Sequence, residues 1–574
     1  MFKLIKLAKP SKLKIIMLLI FITLQVWGTL YLPTLTADII NKGVLLGDRE
    51  EVINLGKFML VIAAITGVVS ILATYYTAEI STKFSQKIRV KLFKHTQKLS
   101  VQDFKHFNTS SLITRGTNDI EQIQSTIAMF FEMMIPAPFI VVVGLVLAYQ
   151  RDSQMALILF IAMIIFLGVF LIMFKVTFPL FEKLQTGLDK INEKVGQYIS
   201  GIRVVRAFNR TELEHKTMKN TFSNYAKINI KISRMFALVM PIVTFTMSVV
   251  TVAILWFGSV RIEDGYMQIG DFVALMQYAT NILMYLLMAV FVMIFVPRAK
   301  VCINRINEVL EYEPEILDGD LKINDANDLS LEFQNVSFSY HDAENPVLHN
   351  LNFTCKKGQT TAIIGGTGSG KSTIAKLISR LLDVSHGQIL FNGRDIKDLK
   401  QKELRERIGF VSQKAFLFSG TIEDNLRHGH DKASLEEINH ALTIAQAKDF
   451  VGDDLDYKVS QSGKNFSGGQ RQRLSIARML VKKPDIYVFD DSFSALDFKT
   501  DSLLRSALKE ETVNSIVITV AQRITTIMDA NQIIVLDEGE IINIGTHQEL
   551  LKKCSVYLEI AKSQLSEKEL SKWI

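Results

Sequence analysis

Cysteine is scarce in this 574-residue sequence, which contains three: Cys302, Cys355 and Cys554. Their spacing matches no zinc site and no disulfide framework, so the sequence predicts free thiols in a fold that neither metal nor disulfides hold together. Charge is almost missing from long stretches before about Ala299, although charged residues make up 21% of the chain. After about Asp318 the composition is that of a soluble α/β domain. The chain therefore divides into an apolar half and a soluble half.

Acidic residues are also missing from the basic start of the chain. Five lysines precede the first apolar run: Lys3, Lys6, Lys9, Lys12 and Lys14. Although the net charge is +7, basic clusters beside apolar runs favour orientation in a membrane over a nucleic-acid surface. We therefore expect no nucleic-acid partner. The first run is too long for a signal-peptide core and lacks a small-residue cleavage site, so we expect it to be retained.

Six apolar runs are long enough to cross a bilayer, which takes about 20 residues. They are residues 15–37, 58–78, 127–149, 155–174, 235–260 and 272–297. Because backbone polar groups must be satisfied within lipid, these spans are predicted to be helices. Polar side chains inside spans tend to face a cavity or a neighbouring helix. Glu132, Gln277 and Asn281 are therefore candidate substrate contacts, with an interfacial position as the alternative for Glu132.

Two connections between the predicted spans are long, basic and helical in pattern: residues 79–126 and 175–234. Their lysines and arginines predict that they lie in the cytoplasm together with both chain ends. At about 1.5 Å per residue, each helical arm could reach roughly 30 Å beyond the membrane. Each pair of arms turns at a less regular patch, residues 105–115 and 204–212. We expect these elbows to press on a cytoplasmic domain; ordinary solvated loops are the alternative.

A phosphate-binding motif begins the soluble half. The β-prone run TTAII at residues 360–364 leads into GGTGSGKS at 365–372 and then into a helix-patterned segment. This matches G-x-x-x-x-G-K-[ST] in the strand–loop–helix context that the motif requires, with Lys371 on the β- and γ-phosphates and the Ser372 hydroxyl on Mg²⁺. The helix N-terminus adds a dipole that favours anions. The predicted nucleotide-binding residues of this loop are Gly365, Gly366, Thr367, Gly368, Ser369, Gly370, Lys371, Ser372 and Thr373.

Two further segments complete the nucleotide-binding pattern. In IYVFDDSFSALD, residues 486–497, an apolar run ends in two aspartates. A P-loop fold needs a second strand that ends in an acid of the Mg²⁺ shell, and Asp490 fits that role, with Asp491 directed at the γ-phosphate side. In NFSGGQRQRLSIARML, residues 465–480, two glycines open an arginine-rich helical pattern, which is a second site suited to anions.

With these motifs the sequence resembles ATP-binding cassette (ABC) transporters. FSGGQ looks like their signature motif, and six spans ahead of one cassette resemble the exporter half-transporters of that superfamily. The resemblance covers nearly the whole chain. It implies an α-helical six-span membrane domain followed by an α/β P-loop nucleotide-binding domain, with ATP and Mg²⁺ as cofactors. The expected boundaries are a cytoplasmic segment 1–14, a transmembrane domain 15–299, a linker 300–328 and a cassette 329–574.

The resemblance also implies roles for individual residues. Tyr340 would stack on adenine, and Gln413 would be the lid glutamine that contacts Mg²⁺. Asp497, in SALD, would belong to a loop that communicates across a cassette dimer. The two elbows would be coupling helices, the second crossing to the partner's cassette. Four signature residues would bind the γ-phosphate of an ATP held by the opposite cassette: Ser467, Gly468, Gly469 and Gln470.

Three positions depart from the family pattern. Asp491 stands where a glutamate normally acts as general base, and a carboxylate displaced by about 1 Å can cost about 100-fold in rate. Gln522 replaces the switch histidine and has no imidazolium form. Gln461 replaces an acidic residue that often precedes the signature. The P-loop, Asp490 and the signature remain intact, so we expect this chain's own site to bind ATP and hydrolyse it slowly.

The expected function is ATP-driven efflux of amphipathic small molecules. By resemblance to the degenerate member of heterodimeric bacterial multidrug-type exporters, the chain would be half of a heterodimer in a bacterial plasma membrane. Its intact signature would complete the hydrolytic site of a partner half-transporter that keeps the glutamate and histidine. Three alternatives stay open: a lipid or peptide exporter subunit, a non-transporting regulatory or gating subunit, and a weakened but working homodimer.

Overall fold

The computed structural model describes residues 11–323, 329–341 and 343–570. The chain forms two compact units. Unit 1 contains the described residues up to Gln97 together with Asn108–Tyr312, and unit 2 contains Lys98–Phe107 together with the residues from Glu313 onward. The three cysteines are free thiols, as predicted.

The described residues of unit 1 form helices joined by short turns. Six of its described helical segments are long and apolar enough to cross a membrane, which confirms the predicted six-span fold. Short π-helical turns at Ile39–Val44, Arg115–Asp119 and Phe130–Met134 interrupt or extend the helices. The α-helices are Lys12–Asp38, Arg49–Thr96, Thr109–Thr114, Ile120–Met129, Pro136–Arg151, Ser153–Ser200, Ile202–Ala207, Thr211–Ala237, Val239–Glu263 and Ile269–Glu311.

Several helices extend well past the apolar run that predicted them. Helix Arg49–Thr96 has 48 residues and would be about 72 Å long. Beyond the apolar run, Ile80, Phe84, Ile88 and Leu92 are buried at intervals of one helical turn, and such a continuous apolar face stabilises further turns. An apolar window therefore locates a span, whereas the buried face decides where its helix ends.

The same effect reaches the segment that the sequence assigned to the start of the linker. Helix Ile269–Glu311 continues through residues 300–311, where Ile303, Ile306 and Val309 are buried on one face. The fifth predicted run, residues 235–260, covers the end of helix Thr211–Ala237 and most of Val239–Glu263.

A charge network joins the helix ends of unit 1 that have short connections. The Arg151 guanidinium donates to Oδ1 of Asp271 at 2.8 Å and to Oδ1 of Asp38 at 3.2 Å, and the Asn41 amide donates to Asp271 at 3.3 Å. These side chains come from three different helical segments of the unit. Because one arginine bridges two partly buried carboxylates, its removal takes the Arg151 cation from Asp271 and leaves Asp38 with Lys42, 3.8 Å away.

Unit 2 contains a sheet that places the ends of several strands together. The strands are β1 Ser330–Phe338, β2 Leu348–Lys356, β3 Thr360–Gly365, β4 His386–Phe391, β5 Arg394–Asp395, β6 Ile408–Val411, β7 Gly420–Thr421, β8 Lys458–Val459, β9 Ile486–Asp490, β10 Ile516–Val520, β11 Gln532–Asp537 and β12 Glu540–Gly545. The main sheet has the order β12-β11-β3-β10-β9-β6, with β12 antiparallel to β11 and the other pairs parallel. A smaller antiparallel sheet has the order β2-β1-β4-β5, and β7 pairs with β8.

Helices flank these strands. In chain order they are Val101–Phe107, Lys371–Ile378, Gln401–Arg407, Ile422–Arg427, Leu435–Ile444, Lys448–Val451, Gly468–Lys482, Phe498–Glu511, Ile524–Ile527, His547–Lys553, Ser555–Gln564 and Glu567–Leu570. Strand β9 is buried over its whole length, as expected for a central parallel strand. The result is the predicted α/β nucleotide-binding fold.

Candidate nucleotide site

The phosphate-binding loop connects β3 to helix Lys371–Ile378. Gly368 and Gly370 have φ of 89° and 94°, a left-handed conformation that glycine adopts at little cost. The Lys371 ammonium donates to the carbonyl oxygens of Gly365, at 2.9 Å, and Gly366. Burial lowers the pKa of Lys371, and the nearby Asp491 and Asp490 oppose that shift. The loop therefore surrounds the lysine, while its tip, residues 366–368, is exposed.

Two predicted magnesium ligands already lie side by side. Asp490 is the last residue of β9, and its Oδ1 accepts a hydrogen bond of 2.7 Å from the Ser372 hydroxyl. Burial raises the pKa of Asp490, and the bond from Ser372 opposes the rise. Hydroxyl and carboxylate oxygens are the hard donors that Mg²⁺ prefers. The residues present therefore fit a magnesium ion, which Ser372 and Asp490 would hold. Gln413, the third predicted ligand, contacts Asp491, the residue after Asp490.

The three segments that follow β6, β9 and β10 meet at one carboxylate. Oδ2 of Asp491 accepts hydrogen bonds from Nε2 of Gln413 and from Nε2 of Gln522, both at 3.1 Å. Burial raises the pKa of Asp491, and the bond from Gln413 opposes the rise. The sequence singled out each residue separately and missed their contact. The signal that could have found it is topological, because the carboxyl ends of parallel strands share one edge of a sheet.

Tyr340 lies just beyond β1, beside the P-loop helix. Its hydroxyl is 3.2 Å from Oγ1 of Thr373, and its ring packs edge-on against Phe338 with the ring centroids 4.9 Å apart. The Lys105 ammonium lies 5.6 Å from the centroid of the Tyr340 ring. This places the start of the first elbow beside the predicted adenine-stacking residue within unit 2. The sequence did not indicate that proximity.

Asp103 holds the same elbow in place. Its carboxylate is buried and accepts hydrogen bonds from the backbone N–H of Ser100 at 2.7 Å and of Glu315 at 3.4 Å. Burial raises the pKa of Glu315, and Asp103 adds to that rise. The short helix Val101–Phe107 is therefore tied to the segment that leads into the cassette.

The signature begins helix Gly468–Lys482. Ser467 and Gln470 form a reciprocal cap, in which Ser467 Oγ accepts from the Gln470 N–H at 3.2 Å and Gln470 Oε1 accepts from the Ser467 N–H at 2.9 Å. A side chain added at Gly468 would meet open space. The helix N-terminus thus presents bare backbone that an anion can approach.

Asp497 caps a different helix. Its carboxylate accepts from the Thr500 N–H at 3.0 Å at the start of Phe498–Glu511. Hydrogen bonding to Thr500 lowers the pKa of Asp497, so the acid is kept ionised at the N-terminal end of the helix, where the dipole favours a negative charge.

The three candidate substrate contacts lie on two helical segments of unit 1. Glu132 is exposed and sits in the π-helical turn Phe130–Met134, a feature that is frequent at functional sites. Gln277 is exposed and Asn281 half-buried on helix Ile269–Glu311. Residues four apart share one face of a helix.

Taken together, the fold and the site define a membrane-spanning protein with a P-loop ATPase domain. The family description "ABC transporter transmembrane region" matches residues 15–287, and "ABC transporter" matches residues 348–494. The chain belongs to the ABC transporter family and has the arrangement of a half-transporter. It is therefore a multi-pass membrane protein whose cassette is of the class that binds and hydrolyses ATP, normally with Mg²⁺.

Relatives match along almost the whole chain. An uncharacterized ABC transporter ATP-binding protein of Mycobacterium tuberculosis is 36% identical over 562 residues, 97% of each chain. The Bacillus subtilis protein YfiB, also described as uncharacterized, is 35% identical over 98% of each chain. An ATP-dependent lipid A-core flippase of Vibrio vulnificus is 28% identical over 94% of this chain and 93% of its own.

A solved structure shares the fold. A bacterial Atm1-family ABC exporter with ATP bound superposes with a TM-score of 0.81 over 96% of this chain and 98% of its own, at 24% sequence identity. This likeness identifies the exporter type of fold.

Proposed function

We propose that this chain is one half of a heterodimeric ABC exporter in a bacterial plasma membrane, with both termini in the cytoplasm. Its own P-loop site binds ATP and hydrolyses it slowly. Its signature, Ser467 to Gln470, completes a hydrolytic site whose P-loop, general base and switch histidine belong to the partner. The single observation that carries this proposal is that the Asp491 carboxylate is occupied by two amide donors, from Gln413 and Gln522.

That occupation bears directly on hydrolysis. A general base needs to lie within hydrogen-bond reach of the attacking water and to have a pKa suited to taking its proton. The Asp491 side chain is one methylene shorter than glutamate, and the oxygen nearest to the lid segment already accepts two bonds. Gln522 cannot take up or release a proton at any accessible pH. Asp491 and Gln522 can both orient a bound molecule, but they do not supply the pair of a glutamate base and a histidine imidazole.

The remaining residues suit tight binding of a nucleotide. Lys371 and the backbone of residues 365–373 bind phosphate oxygens, Tyr340 stacks on the base, and Ser372 with Asp490 orients the metal. When bound, Mg²⁺ neutralises charge on the phosphates. Binding and slow turnover therefore follow from the same site.

The two elbows support assembly with a second half-transporter. The first, residues 105–115, begins in the segment Lys98–Phe107 of unit 2 and continues from Asn108 in unit 1. The second, residues 204–212, belongs to unit 1, and its Val204 and Phe208 side chains are 60% and 73% exposed. We propose that the partner's cassette covers these two exposed apolar side chains.

The proposed cargo is an amphipathic small molecule. On helix Ile269–Glu311, Gln277 and Asn281 are followed at helical spacing by Met284 and Met288, which are 39% and 37% exposed. These positions recur at helical spacing, so polar and adaptable apolar groups lie along one stripe. A lipid is the second candidate, favoured by the similarity to a protein named as a lipid A-core flippase. A peptide cargo and a regulatory subunit remain alternatives without a specific observation in their favour.

The test compares the purified chain with the chain co-purified with a candidate second half-transporter that keeps the glutamate and the histidine. We expect little ATPase activity from the chain alone and strong activity with the partner. Substitution of the partner's P-loop lysine should leave only slow ATP hydrolysis at this chain's site. Asp491→Glu with Gln522→His should then raise that turnover by up to about 100-fold, whereas the control Asp537→Glu, at the end of β11, should not.

Robust ATP turnover by the chain alone would contradict the proposal. Transport into inverted vesicles separates the roles: an exporter subunit changes cargo choice when Gln277 or Asn281 is replaced. A regulatory subunit changes the partner's turnover without changing which cargo moves.

A further inference from the structure

The two departures at Asp491 and Gln522 form one structural unit with the lid glutamine. We call Gln413, Asp491 and Gln522 the amide clamp. Gln413 follows β6, Asp491 follows β9 and Gln522 follows β10, three neighbouring parallel strands. Both amides donate to the same oxygen, Oδ2 of Asp491, at 3.1 Å. Asp491 is only 8% exposed, so these bonds are largely shielded from competing water.

The backbone of Asp491 is held as firmly as its side chain. Its φ is 48°, a left-handed conformation that costs free energy for residues other than glycine and that aspartate tolerates better than most. Its N–H donates to the carbonyl of Val520 at 2.9 Å, and its own carbonyl accepts from the Ser494 hydroxyl at 2.9 Å. A strained conformation persists only where the surrounding structure enforces it. The carboxylate is therefore presented in one direction.

The residue types of the clamp match each other chemically. A carboxylate oxygen has lone pairs for two donors. Each glutamine amide supplies N–H donors and stays uncharged as the pH changes. Histidine at position 522 would offer a single ring N–H whose partner nitrogen titrates near neutral pH. Glutamate at position 491 would carry its carboxylate about 1.5 Å further along the side chain, away from the point where the two amides converge.

We propose that Asp491 is a positioning residue: through the amide clamp it ties the lid glutamine Gln413 to Gln522, so that the two glutamines retain bound ATP as one unit. This inference rests on the proposed slow site and deepens it. The two substitutions then build a device that retains nucleotide, and they are not independent losses of a base and a switch. Gln413 and Gln522 are expected to be energetically coupled, and Asp491 to carry the coupling.

The test is a cycle of variants of the full chain in lipid nanodiscs, read by the release rate of a fluorescent, non-hydrolysable ATP analogue with Mg²⁺. Gln413→Ala and Gln522→Ala should each speed release by about 3- to 10-fold. The double variant should be scarcely faster than either single one, because the loss of one amide already opens the clamp. In an Asp491→Ala background, neither glutamine substitution should have a further effect.

Asp491→Asn separates positioning from base chemistry. Asparagine keeps a carbonyl oxygen that accepts from both amides, so the coupling between the glutamines should survive although no base remains. Gln388→Ala is the matched control, because this glutamine donates to Gln334 in the other sheet at 2.8 Å; release should be unchanged.

Two results would overturn the inference. One is that the effects of Gln413→Ala and Gln522→Ala multiply in the presence of Asp491, which means that the glutamines act independently. The other is that Asp491→Asn behaves like Asp491→Ala. Because the analogue is not hydrolysed, these results are independent of turnover. Fast hydrolysis by the chain alone would refute the slow site while leaving the measured coupling intact.

Discussion

Substitution of two adjacent glycines in the phosphate-binding loop should affect stability very differently. A Cβ at Gly365 would lie 2.0 Å from the carbonyl oxygen of Leu536 and 2.8 Å from Ser369 Oγ, whereas a Cβ at Gly366 would meet nothing within 4 Å. Leu536 pairs with Gly365 across β11 and β3, so the obstacle at Gly365 is backbone that cannot rotate away. Gly365→Ala must therefore push two core strands apart.

Overpacking of this kind costs about 1–3 kcal/mol, which lowers the unfolding midpoint of a domain of this size by roughly 3–10 °C. Gly366→Ala should change stability by less than about 0.5 kcal/mol. Neither glycine has a left-handed backbone, so the two variants differ only in their surroundings. The assay is thermal unfolding of the full chain, with hydrogen exchange of the β3 and β11 amides as the local readout.

Equal destabilisation by the two alanines would refute the reasoning. It would mean that the loop needs glycine for its conformation at both positions, and that the close approach of Leu536 is not the constraint. Faster exchange confined to β3 and β11 in Gly365→Ala is the result that the contact predicts.

Variants at four further residues test other contacts. Ser372→Ala should weaken Mg²⁺-dependent ATP binding by about 10- to 100-fold, because the metal would lose the hydroxyl oxygen proposed as one of its ligands; a Mg²⁺ titration measures this, and Ser372→Thr should bind normally. Because burial raises the pKa of Asp490, ionisation of this carboxyl lowers the free energy of unfolding. The penalty is absent at pH values below the pKa of Asp490 in the unfolded chain and complete at pH values above its pKa in the folded protein. Asp490→Asn should therefore stabilise the nucleotide-free protein at neutral pH, by an amount that shrinks toward acidic pH in unfolding measurements, while abolishing Mg²⁺-dependent binding. Tyr340→Ala should reduce ATP affinity by about 5- to 150-fold and Tyr340→Phe much less, because stacking is worth about 1–3 kcal/mol per base; equilibrium binding would show whether the ring matters. Arg151→Met should lower the unfolding midpoint more than Arg151→Lys, because the partly buried Asp271 loses the Arg151 cation and Asp38 keeps only the more distant Lys42.

Much of the site could be predicted because its motifs are local. The P-loop glycines, Lys371 and Ser372 are consecutive, and the conformation of a short segment already directs its N–H groups and side chains at one ligand. Asp490 was predictable from the apolar strand before it. The six spans were equally predictable, because a helix that crosses a bilayer needs a run of apolar residues of a defined length. Helix ends were not, since caps and buried faces outside the apolar windows decide them.

The sequence by itself determined the family and the two-part architecture, and it supplied the candidate residues of the nucleotide site. Only the tertiary structure decided which of these residues act together. Gln413 and Gln522 lie 78 and 31 residues from Asp491, and they meet because β6, β9 and β10 are parallel neighbours whose carboxyl ends share an edge. Lys105 reaches Tyr340 across a still longer separation. Strand order is set by burial of the whole sheet against helices. The free energy of that burial comes from the folded domain as a whole, so no single motif specifies it.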